Sequence, residues 1–90
     1  MTILWFEMSG FSEAFFRDAE LVSQFLEKPI EIRTTKGAGV IPVVRFSVSA
    51  AKSHFGELLA AGYDLAVCED IKLPGRPART IIRKWKGGDA

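Results

Sequence analysis

The chain is expected to fold as one small α/β domain over residues 1–90, a mixed β-sheet of about five strands packed with two α-helices. Short runs rich in β-branched, aromatic and aliphatic residues recur at 2–8, 30–35, 40–48, 64–70 and 78–86, which is the signature of strands. Between them, residues 12–26 and 50–61 carry apolar side chains at helical spacing. A length of 90 residues, with 48% hydrophobic and 26% charged, suits one soluble core and leaves no room for a second. The expected order is β-α-β-β-α-β-β, one sheet layer against one helix layer.

The first strand reads T-I-L-W-F-E-M, and Ser9-Gly10 ends it. The first helix is capped at Ser12 or Ser9, and its stripe is Phe15, Ala19, Val22 and Leu26. Pro29 stops it, because its ring disfavours the helical conformation at Lys28. Residues 30–35 alternate as a half-exposed strand, and Lys36-Gly37-Ala38-Gly39 is the turn that follows. In the run 40–48, Pro42 removes a ladder donor and points to an edge or a bend. Ser49 can cap the second helix, whose stripe is Ala51, Phe55, Leu58 and Leu59, with Gly62 at the position of a C-terminal glycine. The strand at 64–70 has a centre expected to be buried, including Val67 and Cys68. A loop at 73–77 leads into a last strand with a basic face, and residues 87–90 fray.

Charge is unevenly placed. Six of the twelve Lys and Arg residues fall between 72 and 86, with no acid among them: Lys72, Arg76, Arg79, Arg83, Lys84 and Lys86. The rest of the chain carries six basic and eleven acidic residues. Such a segment is either a solvated strand or a surface for an anionic partner such as nucleic-acid phosphate.

Other chemistry is sparse. His54 and Cys68 are the only residues of their types, and no cluster has metal-ligand spacing. His54 reads as a rim residue of a helix, and Cys68 as a small core residue. Gly37-Ala38-Gly39 lacks the phosphate-loop pattern. The acids Asp18, Glu20 and Glu27 are scattered along a helix. No enzyme, cofactor, metal or small-molecule substrate is expected. No apolar run approaches the ~18 residues of a membrane span, and the first residues lack a signal-peptide pattern. One cysteine forms no internal disulfide, so a reducing cytoplasm is expected.

The run Phe6-Glu7-Met8-Ser9-Gly10-Phe11-Ser12-Glu13-Ala14-Phe15 resembles the Phe-x-Met-Gly-Asp-Phe-Tyr-Glu-Leu-Phe of the N-terminal mismatch-recognition domain in the MutS family of DNA mismatch-repair proteins. Further similarity follows in the same order. Glu31-Ile32-Arg33-Thr34-Thr35-Lys36 lies at the family's Leu-Thr-Lys-Arg strand, and Ile41-Pro42-Val43 at its Ile-Pro-Met. Leu65-Ala66-Val67-Cys68-Glu69-Asp70 resembles its Val-Ala-Ile-Cys-Glu-Gln, and Arg79-Thr80-Ile81-Ile82-Arg83 its closing Arg-x-Val-x-Arg. In that family the Phe of Phe-x-Glu wedges into the duplex at a mispair and the Glu contacts the displaced base. The resemblance implies those roles for Phe11 and Glu13. Inserting an aromatic wedge costs a few kcal/mol of unstacking, and a mispaired step resists less. Arg79, Arg83, Lys84 and Lys86 are the candidate contacts to the DNA backbone.

The implied function is binding of mispaired or distorted duplex DNA, without ATPase activity, since no Walker motif occurs in these residues. The alternative is a protein-interaction module derived from that domain, docking to another protein or to itself. Gly10 and Ser12, where the family has Asp and Tyr, favour the alternative, as does an exposed edge near Pro42.

Overall fold

The computed structural model describes residues 1–37, 39–71 and 79–88. Its elements are β1 (Thr2–Met8), β2 (Phe11–Phe15), α1 (Phe16–Leu26), β3 (Glu31–Thr35), β4 (Gly39–Ser47), α2 (Val48–Ala60), β5 (Asp64–Ile71) and β6 (Arg79–Trp85). Six strands form one mixed sheet in the order β3-β4-β2-β1-β5-β6. The β1–β5 pair is parallel and the other four are antiparallel. The α/β class and both helices agree with the sequence, and the five expected strands become six.

The added strand is β2. The sequence predicts a helix from residue 12, capped at Ser12 or Ser9, with Phe11 just before it. Instead Ser9 and Gly10 both take positive φ, 52° and 84°, and form a two-residue hairpin loop between β1 and β2. Two consecutive positive-φ residues match the right-handed twist of paired strands, which explains the hairpin. Ser12 is fully buried in β2 and caps nothing. The helix starts only at Phe16, and no side chain caps it. Its Asp18 Oδ2 accepts a hydrogen bond from the Leu4 amide at 3.0 Å, tying α1 to β1.

Both helices cover one face of the sheet. Ile3, Trp5, Ala14, Val44, Phe46, Leu65 and Val67 form the strand side of the core. Ala19 and Val22 of α1, with Ala51, Phe55 and Leu58 of α2, close it. Trp5 is fully buried, with its ring 5.4 Å from Phe55 and 5.9 Å from Phe46. Alternation sends the neighbouring strand residues to the opposite face, which among the described residues no helix packs across, only the first turn of α1 reaching its margin beside Leu4 and Phe6. Val67 is therefore in the core as expected, but Cys68 lies on the open side, only half-buried, between Phe6 and Ile82 in register.

Local signals explain the remaining boundaries. Ser47, not Ser49, caps α2: its Oγ accepts from the Ala50 amide at 3.2 Å. Gly62 has φ 97° at the end of α2. Its amide donates to the Leu59 carbonyl and the Tyr63 amide to that of Leu58, the paired closure that a left-handed residue permits. Pro42 pairs with Ile32 on β3, while β2 ends opposite Val43, so the proline has a strand on one side only. At Pro42, β4 is thus an edge on the side away from β3, as expected, and β3 is the outermost strand of the sheet. Ala38 of the expected turn and the expected loop at 73–77 lie outside the described residues. No helix among the described residues is long and apolar enough to cross a membrane.

Residues 87 and 88 do not fray. The Gly87 amide donates to Asp64 Oδ1 at 2.8 Å and the Gly88 amide to the Leu59 carbonyl at 2.9 Å. A Cβ on Gly87 would stand 2.1 Å from the Tyr63 carbonyl oxygen. Because that neighbour is backbone, relief requires moving the tail or the α2–β5 junction. Gly87→Ala is expected to cost about 1–3 kcal/mol, like other overpacking changes. Thermal unfolding should then shift down by at least about 4 °C. An unchanged midpoint would show that the tail is not docked at this junction.

Candidate nucleic-acid interface

The central feature is the alternation of β2. Ser12 and Ala14 are buried on the helix side, and Phe11, Glu13 and Phe15 project from the open face. On a helix, positions two apart stand about 200° apart around the axis, since each residue turns 100°. On a strand they share a face. Because Phe11–Phe15 is a strand and the helix does not begin at residue 12, Phe11 and Glu13 stand side by side on one face.

Phe11 keeps 38% of its surface exposed beside the hairpin turn. It pairs with Met8 across β1, itself 60% exposed, and with Ser47 across β4. The Arg45 guanidinium lies over the Phe11 ring, 3.6 Å from its centroid. Glu13 is only 8% exposed, although it is charged and faces the side without helices. Both its carboxylate oxygens accept from the Arg33 guanidinium of β3, with Nη1 at 3.2 Å from Oε1 and Nη2 bonded to Oε2. Arg45 Nε stands 3.9 Å from Oε2. The hydrogen bonds that Arg33 donates to Glu13 hold the Arg33 pKa above its ordinary value, against the opposing effect of desolvation. Arg33 therefore stays charged at any working pH. Its guanidinium also lies 5.9 Å from the Phe15 ring, which in turn meets Phe6 edge-on at 5.5 Å.

Sequence reasoning missed this pair of arginines. One charge in the apolar run V-I-P-V-V-R-F was the available signal for Arg45. Arg33 had only the alternation of its strand. Two cations, Arg33 and Arg45, flank this carboxylate, and Glu31 stands on the same face of β3 as Arg33 and acts on it electrostatically.

The basic residues of β6 are split by the same period of two. Arg83 pairs with Val67, whose side chain is in the core, so it points to the helix-bearing face. There its Nη2 donates to Glu69 at 3.0 Å and to Glu7 at 3.4 Å. Lys84 lies on the face of Phe11, opposite Ala66, which pairs with Leu4 of β1. It is thus displaced toward the far end of β1 from Met8. Lys86 follows the strand and is exposed. Arg79 begins β6 at the end nearer Met8, and its side chain lies outside the description.

Comparison with known proteins agrees with this architecture. The family model described as MutS domain I matches residues 1–85. A DNA mismatch repair protein MutS from Desulforamulus reducens is 36% identical over 86 residues, covering 91% of this chain and 10% of that protein. The MutS of Myxococcus xanthus is 34% identical over 83 residues, covering 92% and 9%. That of Brevibacillus brevis is 36% identical over 83 residues, covering 92% and 10%. The chain thus spans about a tenth of the length of these relatives. With the match running through every strand and both helices, the chain belongs to the MutS domain I family.

Proposed function

We propose that this domain binds mispaired or distorted duplex DNA through an aromatic wedge, Phe11, with Glu13 meeting the displaced base, and that binding involves no ATPase step. The observation that carries this reading is the shared face of Phe11 and Glu13 on β2 next to an exposed hairpin turn. A partly exposed ring at a sheet surface can enter a base step edge-first. A mispaired step is already loosened, so the unstacking cost falls there, and that difference is the discrimination. Both carboxylate oxygens of Glu13 accept from Arg33 in the free domain, so the acid meets a displaced base only as that pair opens.

Backbone contacts fall to Lys84 and Lys86, with Arg79 at the start of the same strand. Arg83 contributes less, since two carboxylates already hold it on the other face. The rival reading, docking to a protein or to a second copy, has the β3 edge in its favour, where Ile32 is exposed.

Phe11→Ala should remove the preference for mispaired over matched duplex. One base stacked on an aromatic ring is worth about 1–3 kcal/mol, so affinity at the mispair should fall roughly 5- to 100-fold, with little change on matched duplex. Unfolding of this variant should cost well under the ~3–5 kcal/mol of a core Phe truncation. A large loss of stability with discrimination intact per folded molecule would assign Phe11 to structure alone.

Lys84→Ala should weaken binding to every duplex by a similar factor. The log–log salt slope should become shallower by about 0.9, the value of one lost phosphate contact. Arg83→Ala should leave that slope unchanged. Titrations at two salt concentrations separate the cases, and the reverse pattern would place the DNA on the helix-bearing side.

A further inference from the structure

One face of the Phe11 ring is already occupied. The guanidinium carbon of Arg45 sits 3.6 Å from the ring centroid, and a base stacking on that face needs the same space. The side chain has a second anchor, with Nε 3.9 Å from Glu13 Oε2. The strand register enforces the arrangement: Glu13 is directly opposite Arg45, and Phe11 stands one diagonal step away, opposite Ser47. Phe11 and Glu13 are thus covered by one cation from one position of β4.

We propose that Arg45 is a positioning residue that gates the wedge: it covers the ring in the free domain, and Phe11 stacks on a base only after Arg45 has moved off. This inference rests on the mismatch reading above. On matched duplex the wedge does not insert and Arg45 stays in place. At a mispair the cation–π contact is given up before stacking begins, so the gate lowers mispair affinity selectively. Its loss of charge, by contrast, weakens binding to both duplexes alike and cancels in their ratio.

The test has two parts. In the free domain, the Phe11 ring current should shift the Arg45 side-chain proton resonances upfield, and Phe11→Ala should abolish that shift. Absence of the shift overturns the proposal without any DNA. In titrations, Arg45→Ala should raise the ratio of mispaired to matched affinity about 2- to 5-fold, the equivalent of an exposed cation–π contact. Arg45→Met, which keeps part of the apolar stem without the charge, should move the ratio in the same direction. If wild type prefers the mispair and both variants leave the ratio unchanged or lower it, the gate is wrong and the mismatch reading stands. If neither wild type nor the variants prefer the mispair, the mismatch reading falls and takes the gate with it.

Discussion

Period-two alternation along β2 is the constraint on which the site depends. The strand is held on both sides, by β1 through a two-residue turn and by β4 through five register pairs. Ser12 and Ala14 are fully buried under the helices, which fixes the direction in which their neighbours point. A slip of one residue would bury Phe11 and Glu13 and expose Ser12 and Ala14, so core burial and site geometry are set by the same register. The backbone of the site is thus fixed by the sheet that carries it.

Electrostatics supplies the second layer of organisation. A nearly buried carboxylate is unfavourable unless it is paired and hydrogen-bonded. Glu13 meets that requirement by drawing Arg33 from β3 and Arg45 from β4, so the acid gathers two strands around the aromatic residue beside it. On the other face, Arg83 does the reverse and draws Glu7 and Glu69 to itself. The two sides of the sheet therefore differ in kind. The helix side is closed by a core and an internally satisfied ion cluster, whereas the open side presents aromatic rings beside a mixed cluster of Glu13, Glu31, Arg33 and Arg45.

Much of the fold was legible in the sequence because burial follows simple periods. The stripe at Ala19 and Val22, the stripe at Ala51, Phe55 and Leu58, and the glycine at 62 all lie where spacing and capping place them. The stretch 11–15 misled because its apolar residues at 11, 14 and 15 fit a helical turn as readily as a strand. Ser9-Gly10 decided the matter by taking left-handed conformation at both positions, which a reading of Gly as mere punctuation overlooks. Phe11 and Glu13 were named from motif resemblance, but their company was not legible. The contacts of Glu13 with Arg33 and Arg45 depend on the registers of two antiparallel pairs, which no local pattern states. Arg83 and Lys84 show the same limit: adjacency in sequence grouped them, and the strand sends them to opposite faces.

The central claim is that the Phe11 ring enters the duplex at the mispair. Intermolecular nuclear Overhauser contacts between the Phe11 ring protons and DNA, with the domain bound to a duplex carrying one mispair, test it most directly. Contacts from the ring to the bases at the mispaired step are expected, and none to the bases of a fully matched duplex. A bound complex in which the Phe11 ring keeps its free-state resonances, while the DNA contacts lie on the helix-bearing face, would contradict it.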